Sequence, residues 1–493
     1  MEIFVSAVLG ELATRSISFF ISKYSKSALQ DMEVRLLSLQ RILLRAQIIV
    51  DEATGRHITN QGMLRQLSLL RDAMYRGYYV LDAVRYGGHQ EDRRQQNNQT
   101  VSHSWVLSKF NCAKRLGLRT SSSTRTLQQL EESLHGLRTM ILDVTELVMF
   151  LTACPRLHRQ PYCMHFLVEN CMFGRQMEME VVINFLLHTQ PFPASDLDRF
   201  DVLPIVGASR AGKSTLVAHV CQDERVRGHF PRIVFFRLGS CSGEDISALR
   251  NECAAGSGNG GRLLLVIEVF GDLDEDQWET MWSLSTLFPT SGSKIIITSR
   301  SDKITKLGTT QPLTLKLLSR EAFWYFFKLI TFGSTDPDMH PRLVYLAMEI
   351  AKELNGSLMG ANITAWLLRD NFNVHFWLNI LLFMRGFVQN HLSKFGKHPS
   401  DLLKGNRPTY FRRMGTTTED FLVLDQYQTY SAQDEVPNIT FQDVMYGNIT
   451  PRGIFKTLAW KSRIPPYHCY IYTCEIRELH SRVVKRKRSA DKC

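Results

Sequence analysis

The sequence predicts a multidomain chain. An N-terminal α-helical bundle, a coiled-coil type domain, precedes an α/β domain with a parallel sheet, and a helical subdomain follows. Three observations predict this. Apolar residues at spacings of three and four form two long seams before residue 155. From Val202 onward, short apolar runs alternate with helical patterns. Between the first of those runs and the next helix lies "VGASRAGKSTLVAHV", Val206 to Val220, with the G-x-x-x-x-G-K-S spacing that wraps a phosphate chain.

At 493 residues the chain exceeds what one core supports, and its length suggests about three domains. The first seam runs Leu29, Met32, Leu36, Leu39, Leu43, Ala46, Val50, with Asp31, Arg35 and Arg41 off it. The second runs Leu130, Leu134, Leu137, Ile141, Val144, Val148, Leu151. "GMLRQLSLLRDAMYRGYYVLDAVRY" between them is also apolar at helical spacing. Seams interrupted after a few turns suit antiparallel helices sharing one core better than a self-associating coiled coil. "GGHQEDRRQQNNQTVSHS" and "TSSSTR" are polar and read as loops or a linker. The helical domain is therefore set at 1–155, with a polar loop near 88–125.

The α/β domain is set at 165–330. "VLPIV", "RIVFFRL", "RLLLVIEVF" and "SKIIIT" are near-continuous apolar runs, as buried parallel strands are. Pro204 fits poorly inside a central strand and is expected at its start. A helical subdomain, 331–395, includes "PRLVYLAMEIAKELNG", closed by Gly356, and the apolar "FWLNILLFM". Trp366 and that apolar run read as packing for the subdomain before they read as a partner's surface. Residues 396–493 show no periodicity and are assigned no fold.

A strand, a glycine-bounded loop and a helix in succession are the context a phosphate loop requires. Gly207 and Gly212 let the backbone turn so that the amides across Ala208, Ser209, Arg210 and Ala211 face inward. Lys213 reaches terminal phosphates, Ser214 offers a hydroxyl to magnesium, and Thr215 follows in the first turn of the helix, whose N-terminus attracts anions. The bland alternative is a decayed loop that keeps only the shape.

Composition sets further bounds. With 44% hydrophobic and 22% charged residues the chain is neither disordered nor fibrous. Its net charge of +11 favours anions, among which nucleic acid is the least expected because such charge is common. Ten scattered cysteines fit free thiols in a reducing compartment. "MEIFVSAVLGELATRS" carries Glu2, Glu11 and Arg15, and reads as an amphipathic helix, not a signal peptide. "FWLNILLFM" ends at Arg385 and is too short to span a bilayer. A cytoplasmic protein without a membrane span is expected. "VVKRKRSADK" reads first as a solvated basic tail and second as a nuclear address. Cys154, His158, Cys163, His165 and Cys171 match no common zinc spacing and are read as ordinary residues.

Several ordered motifs, over roughly residues 1–370, resemble the plant coiled-coil class of nucleotide-binding, leucine-rich-repeat disease resistance proteins. "MFGRQMEMEVVINFLL" is similar to the segment that opens their NB-ARC domain. The resemblance implies that Met172, Phe173, Gly174 and Arg175 line an adenine pocket. "GSKIIITSRSDKI" is similar to the strand ending in a phosphate-sensing arginine, here Arg300, and "LTLKLLSREAFWYFF" to the block after it. The opening helices resemble the family's four-helix coiled-coil domain.

The departures bear on mechanism. Relatives usually carry two acidic residues after the third strand. Here Glu268 is followed by Val269, with Asp272 beyond, so Glu268 is a weak candidate for catalysis and, with Ser214, for magnesium. "NGSLMGA" has Leu358 where the family's Gly-Leu-Pro-Leu element has proline, and the family's acidic helical patch keeps only Asp82. No Met-His-Asp motif follows in order, "MHP" at Met339 to Pro341 preceding the Gly-Ser-Leu-Met segment, and no leucine-rich repeat is recognisable in the last hundred residues.

The resemblance implies an ADP- or ATP-binding regulator of plant defence, a nucleotide-dependent switch or degenerate helper. It would act through its N-terminal helices by self-association or by pairing with related resistance proteins. ADP is favoured over ATP, with at most slow hydrolysis. The rival readings are an active phosphate-loop ATPase engaging nucleic acid, and a nucleotide-free adaptor that dimerises through its helices.

Overall fold

The computed structural model describes residues 31–87, 120–157, 172–188, 201–238, 262–269, 292–404, 407–412, 419–430, 436–465 and 467–478. The expectations placed on the N-terminal helix, the polar loop before 120, the Cys/His run 158–171, Asp272 and the basic tail lie outside these residues.

Helix α1 (31–54) and α2 (Gln61–Tyr86), α3 (Thr120–Asp143) and α4 (Thr145–Ala153) share one core. Met32, Leu39, Leu43, Ala46 and Val50 of the first seam are buried, as are Leu130, Leu134 and Leu137 of the second. At Val144 the second seam shifts by one residue. Leu147 is buried and Val148 exposed, because α3 ends there and α4 starts afresh. The polar "TSSSTR" is the opening of α3 and not a loop. Serine and threonine are favoured near helix starts as a class, because their oxygens can accept from backbone amides that have no partner within the helix.

The α/β domain opens with α5 (Gln176–Leu187). It continues with β1 (Asp201–Val206), α6 (Lys213–Gln222), α7 (Glu224–His229), β2 (Arg232–Leu238), β3 (Leu263–Val269), β4 (Lys294–Ser299) and β5 (Leu313–Thr314). The strands form one sheet in the order β2-β3-β4-β1-β5, every pair parallel. A fourth strand thus separates the phosphate-loop strand from the strand bearing Glu268, so both open at the same sheet end with a gap between them. Pro204 lies inside β1, opposite Ile297, and not at its start. It is tolerated because β5 pairs with β1 only from Ile205 onward. Beside it the chain at Thr309 meets Val202, donating to its carbonyl at 3.1 Å.

The bundle docks on this domain through charge as well as apolar surface. The Arg225 guanidinium lies 2.9 Å from both Glu180 and Asp223, and His57 of the bundle approaches Glu180 at 3.1 Å. Arg71 of α2, 5% exposed, reaches Glu178 of α5 at 3.4 Å.

Helices α8 (Arg320–Phe332), α9 (Pro341–Glu353), α10 (Leu358–Asp370) and α11 (Val374–Phe395) build the helical subdomain around Trp324, Phe327, Val344 and Trp377. Leu358 occupies the first turn of α10 behind the cap Ser357, a position at which proline is also tolerated. After α12 (Pro399–Lys404) the chain forms β6 (Thr409–Arg412), β7 (Glu419–Tyr430), α13 (Phe441–Tyr446), β8 (Ile454–Lys461) and β9 (His468–Glu478). These strands make an antiparallel sheet in the order β6-β7-β9-β8. It seats on α11 through Phe387 and Phe411, whose ring centroids are 4.6 Å apart. No helix among the described residues is long and apolar enough to cross a membrane.

Candidate nucleotide site

The chain leaves β1 at Val206 and enters α6 at Lys213, so six residues must reverse it at the open end of the sheet. Left-handed backbone at Arg210 (φ 64°) and Gly212 (φ 92°) makes the reversal. Alternating handedness of this kind turns successive amides toward one centre. Gly207 has a different role from the one expected. A β-carbon there would lie 2.3 Å from the Leu315 carbonyl oxygen, so its smallness admits the segment that follows β5. Helix α6 begins at Gly212 with no side-chain cap, and its first free amide donors stay available to an anion.

Lys213 lies over this turn. Its ammonium donates to the carbonyls of Gly207 at 2.7 Å and Ala208 at 3.0 Å. Burial pushes its pKa down to about 8; Glu268 opposes the shift and nearby Arg300 adds to it. An ammonium weakened by burial and by a second cation gains from an incoming phosphate, so loop, helix start and lysine fit a phosphate group together. Arg300 is exposed at the end of β4, close enough to act on Lys213 electrostatically. Ala208 is exposed, Ser209 and Thr215 half-buried, and Ala211 buried beneath the turn.

Glu268, at the end of β3, accepts a hydrogen bond from the Ser214 hydroxyl. Its other carboxylate oxygen lies 3.4 Å from Nε of Arg237, which stands opposite it in β2. Val269 is 4% exposed and supplies no second carboxylate. The pair of donors expected for magnesium is thus closed by protein groups on both carboxylate oxygens, a poor fit for a divalent ion. Among the described residues no group of three His, Cys, Asp or Glu side chains is placed to hold a metal.

The segment 172–175 reaches the loop unevenly. Met172 approaches it, with Cε 3.0 Å from where a Gly212 β-carbon would sit. Phe173 instead joins Tyr75 of the bundle and Tyr325 and Phe326 of α8, at centroid distances of 5.5, 6.1 and 5.3 Å. Gly174 turns with φ 66° beneath them. Arg175 is buried against Glu178, at 3.0 Å, and the Lys316 carbonyl. Phe173 and Arg175 therefore tie three bodies together at the site's edge.

Sequence reasoning missed two contributors. Arg237 lay in an apolar run read only as a strand; its charge within that run was the available signal. Gln426, from β7, accepts a hydrogen bond from Arg210 at the apex of the phosphate loop and donates to the Leu403 carbonyl. Arg210 also acts electrostatically on the half-buried Tyr470 and the buried Tyr472 of β9. The C-terminal sheet thus stands against the loop.

No protein-family profile matches the chain. Among curated proteins it is similar to disease resistance protein RGA2 of Solanum bulbocastanum, 28% identical over 223 residues, 41% of this chain and 22% of that protein. The putative disease resistance protein RGA1 of the same plant is 27% identical over 234 residues, 43% of this chain and 23% of that protein. The putative disease resistance RPP13-like protein 1 of Arabidopsis thaliana is 23% identical over 410 residues, 77% of this chain and 37% of that protein. The chain thus spans less than a quarter of the two Solanum relatives. Over about 40% of its length it is a homologue of plant disease resistance proteins.

Proposed function

We propose that this chain is an intracellular regulator of plant defence that holds a nucleoside diphosphate as an internal clamp. The observation that carries this reading is the phosphate loop, left-handed at Arg210 and Gly212 and running into a helix start with no side-chain cap. Backbone amides and Lys213 would hold the phosphates, with Thr215 behind them and Arg300 at the rim. Met172 and the turn at Gly174 would face the base. The resistance proteins to which the chain is similar support the defence setting.

Retention is favoured over turnover. Hydrolysis requires a positioned, polarised water in addition to a held phosphate. Both oxygens of the Glu268 carboxylate are engaged, one by the Ser214 hydroxyl and one by Arg237, and Val269 beside it supplies no second carboxylate to position a water. The clamp acts on the bodies around the loop: the C-terminal sheet through Gln426, and the bundle through α2, which packs on α8. When the clamp loosens, the N-terminal helices are freed to self-associate or to pair with related resistance proteins. A steady-state phosphate-release assay on the purified chain, with and without DNA, tests this reading. Release far below the roughly 1 per second at the low end of ordinary enzymes, and unmoved by DNA, is expected. DNA-stimulated turnover at that rate would replace the clamp with a working ATPase.

A further inference from the structure

The structure assigns to Arg237 the charge that a phosphate-loop protein otherwise takes from magnesium: this site receives its nucleoside diphosphate free of metal. The inference rests on the nucleotide-holding reading and deepens it.

The placement of Arg237 is a property of the sheet. In the parallel register of β2 and β3, Arg237 is the direct partner of Glu268, so the two side chains leave the same face at the same height. Glu268 Oε2 lies 3.4 Å from Arg237 Nε, and Oε1 accepts the hydrogen bond that the Ser214 hydroxyl donates. A cavity of about 30 Å³ beside them is lined by Ser214, Arg237, Glu268 and Thr298, with Phe235 and Val266 in its walls. Magnesium demands a near-octahedral oxygen shell, and in this cavity both oxygens of the Glu268 carboxylate already face protein donors.

Charge argues the same way. The carboxylate that would balance a divalent ion is already balanced by a guanidinium, and the next residue of the strand, Val269, is buried and supplies no second one. A divalent ion set next to that guanidinium would be repelled. A phosphate oxygen there would meet the positive charge of a guanidinium that the Glu268 contact holds in place. The site therefore favours free ADP over the magnesium complex of ATP.

The test is ADP binding to the full chain, stripped of nucleotide, in excess magnesium and in excess EDTA. Wild-type affinity should agree within about twofold between the two conditions. Arg237→Ala should lose about tenfold or more in EDTA, the worth of one charge-assisted hydrogen bond, and recover in magnesium. Arg237→Lys, which keeps the charge, should stay within a few-fold of wild type in EDTA. A wild-type protein whose ADP affinity falls about tenfold on adding EDTA overturns the metal-free site and leaves nucleotide holding intact. Absence of ADP binding under both conditions overturns both.

Discussion

If the loop holds ADP as proposed, affinity turns on Lys213, and its surroundings fix a pH dependence. Burial holds its free-state pKa near 8. A bound phosphate favours the charged ammonium and raises that value, so the protonated form is the one that binds. Affinity for ADP is then level below pH 8 and falls above it, by about tenfold between pH 7 and pH 9 when read as a titrated dissociation constant. Equal constants at the two pH values would remove Lys213 from the phosphate contact. The residue types of the loop were legible in the sequence because spacing alone places them. Their division of labour was not. Gly207 looks like a turn glycine until the backbone of Leu315 is found packed on it, while Arg210, not a glycine, takes the left-handed backbone. The resemblance implies adenine contacts at Phe173 and Arg175; the partners the structure gives them come from α2, α8 and the segment after β5, far away in sequence.

Helix α2 is the element that joins the bundle to the rest of the chain. Its Asp82, 2% exposed, accepts from the Trp324 indole at 2.9 Å and from the Lys328 ammonium at 2.9 Å, both on α8. Four residues on, Tyr86 donates to Asp338. The sequence marked Asp82 as the remnant of an acidic patch, and its partners show why one carboxylate suffices. Replacing Asp82 by Ala strands a buried N–H and a half-buried ammonium, and should cost about 3 kcal/mol in urea unfolding. A loss below about 0.5 kcal/mol, the scale of an exposed pair, would show that α2 and α8 hold without it. The two seams of the bundle were readable because each keeps helical spacing for several turns, and four strands of the parallel sheet because each is a near-continuous apolar run. The C-terminal sheet was not. Its register slips between Val423 and Asp425 in β7 and between Leu458 and Trp460 in β8. Each bulge swaps the buried and exposed faces partway along the strand, which erases the alternation that marks a strand in sequence.

Across the whole molecule, the bundle packs on the helical subdomain at Asp82, and the C-terminal sheet stands against the phosphate loop at Gln426. Closure at the loop is therefore shared with a region that no motif identified. Removing the Gln426 side chain with alanine should speed ADP dissociation about fivefold, the kinetic equivalent of one hydrogen bond of about 1 kcal/mol. A chase of fluorescent ADP reads that rate, and an unchanged rate would separate the C-terminal sheet from nucleotide exchange. The central claim is that the chain retains a diphosphate through the loop and Lys213. The most direct measurement is to denature the purified protein and identify the nucleotide released, for wild type and for Lys213→Ala side by side. Stoichiometric ADP from the wild type and none from the variant is the predicted result. Wild-type protein that releases no nucleotide, or a variant that releases as much, would contradict the account.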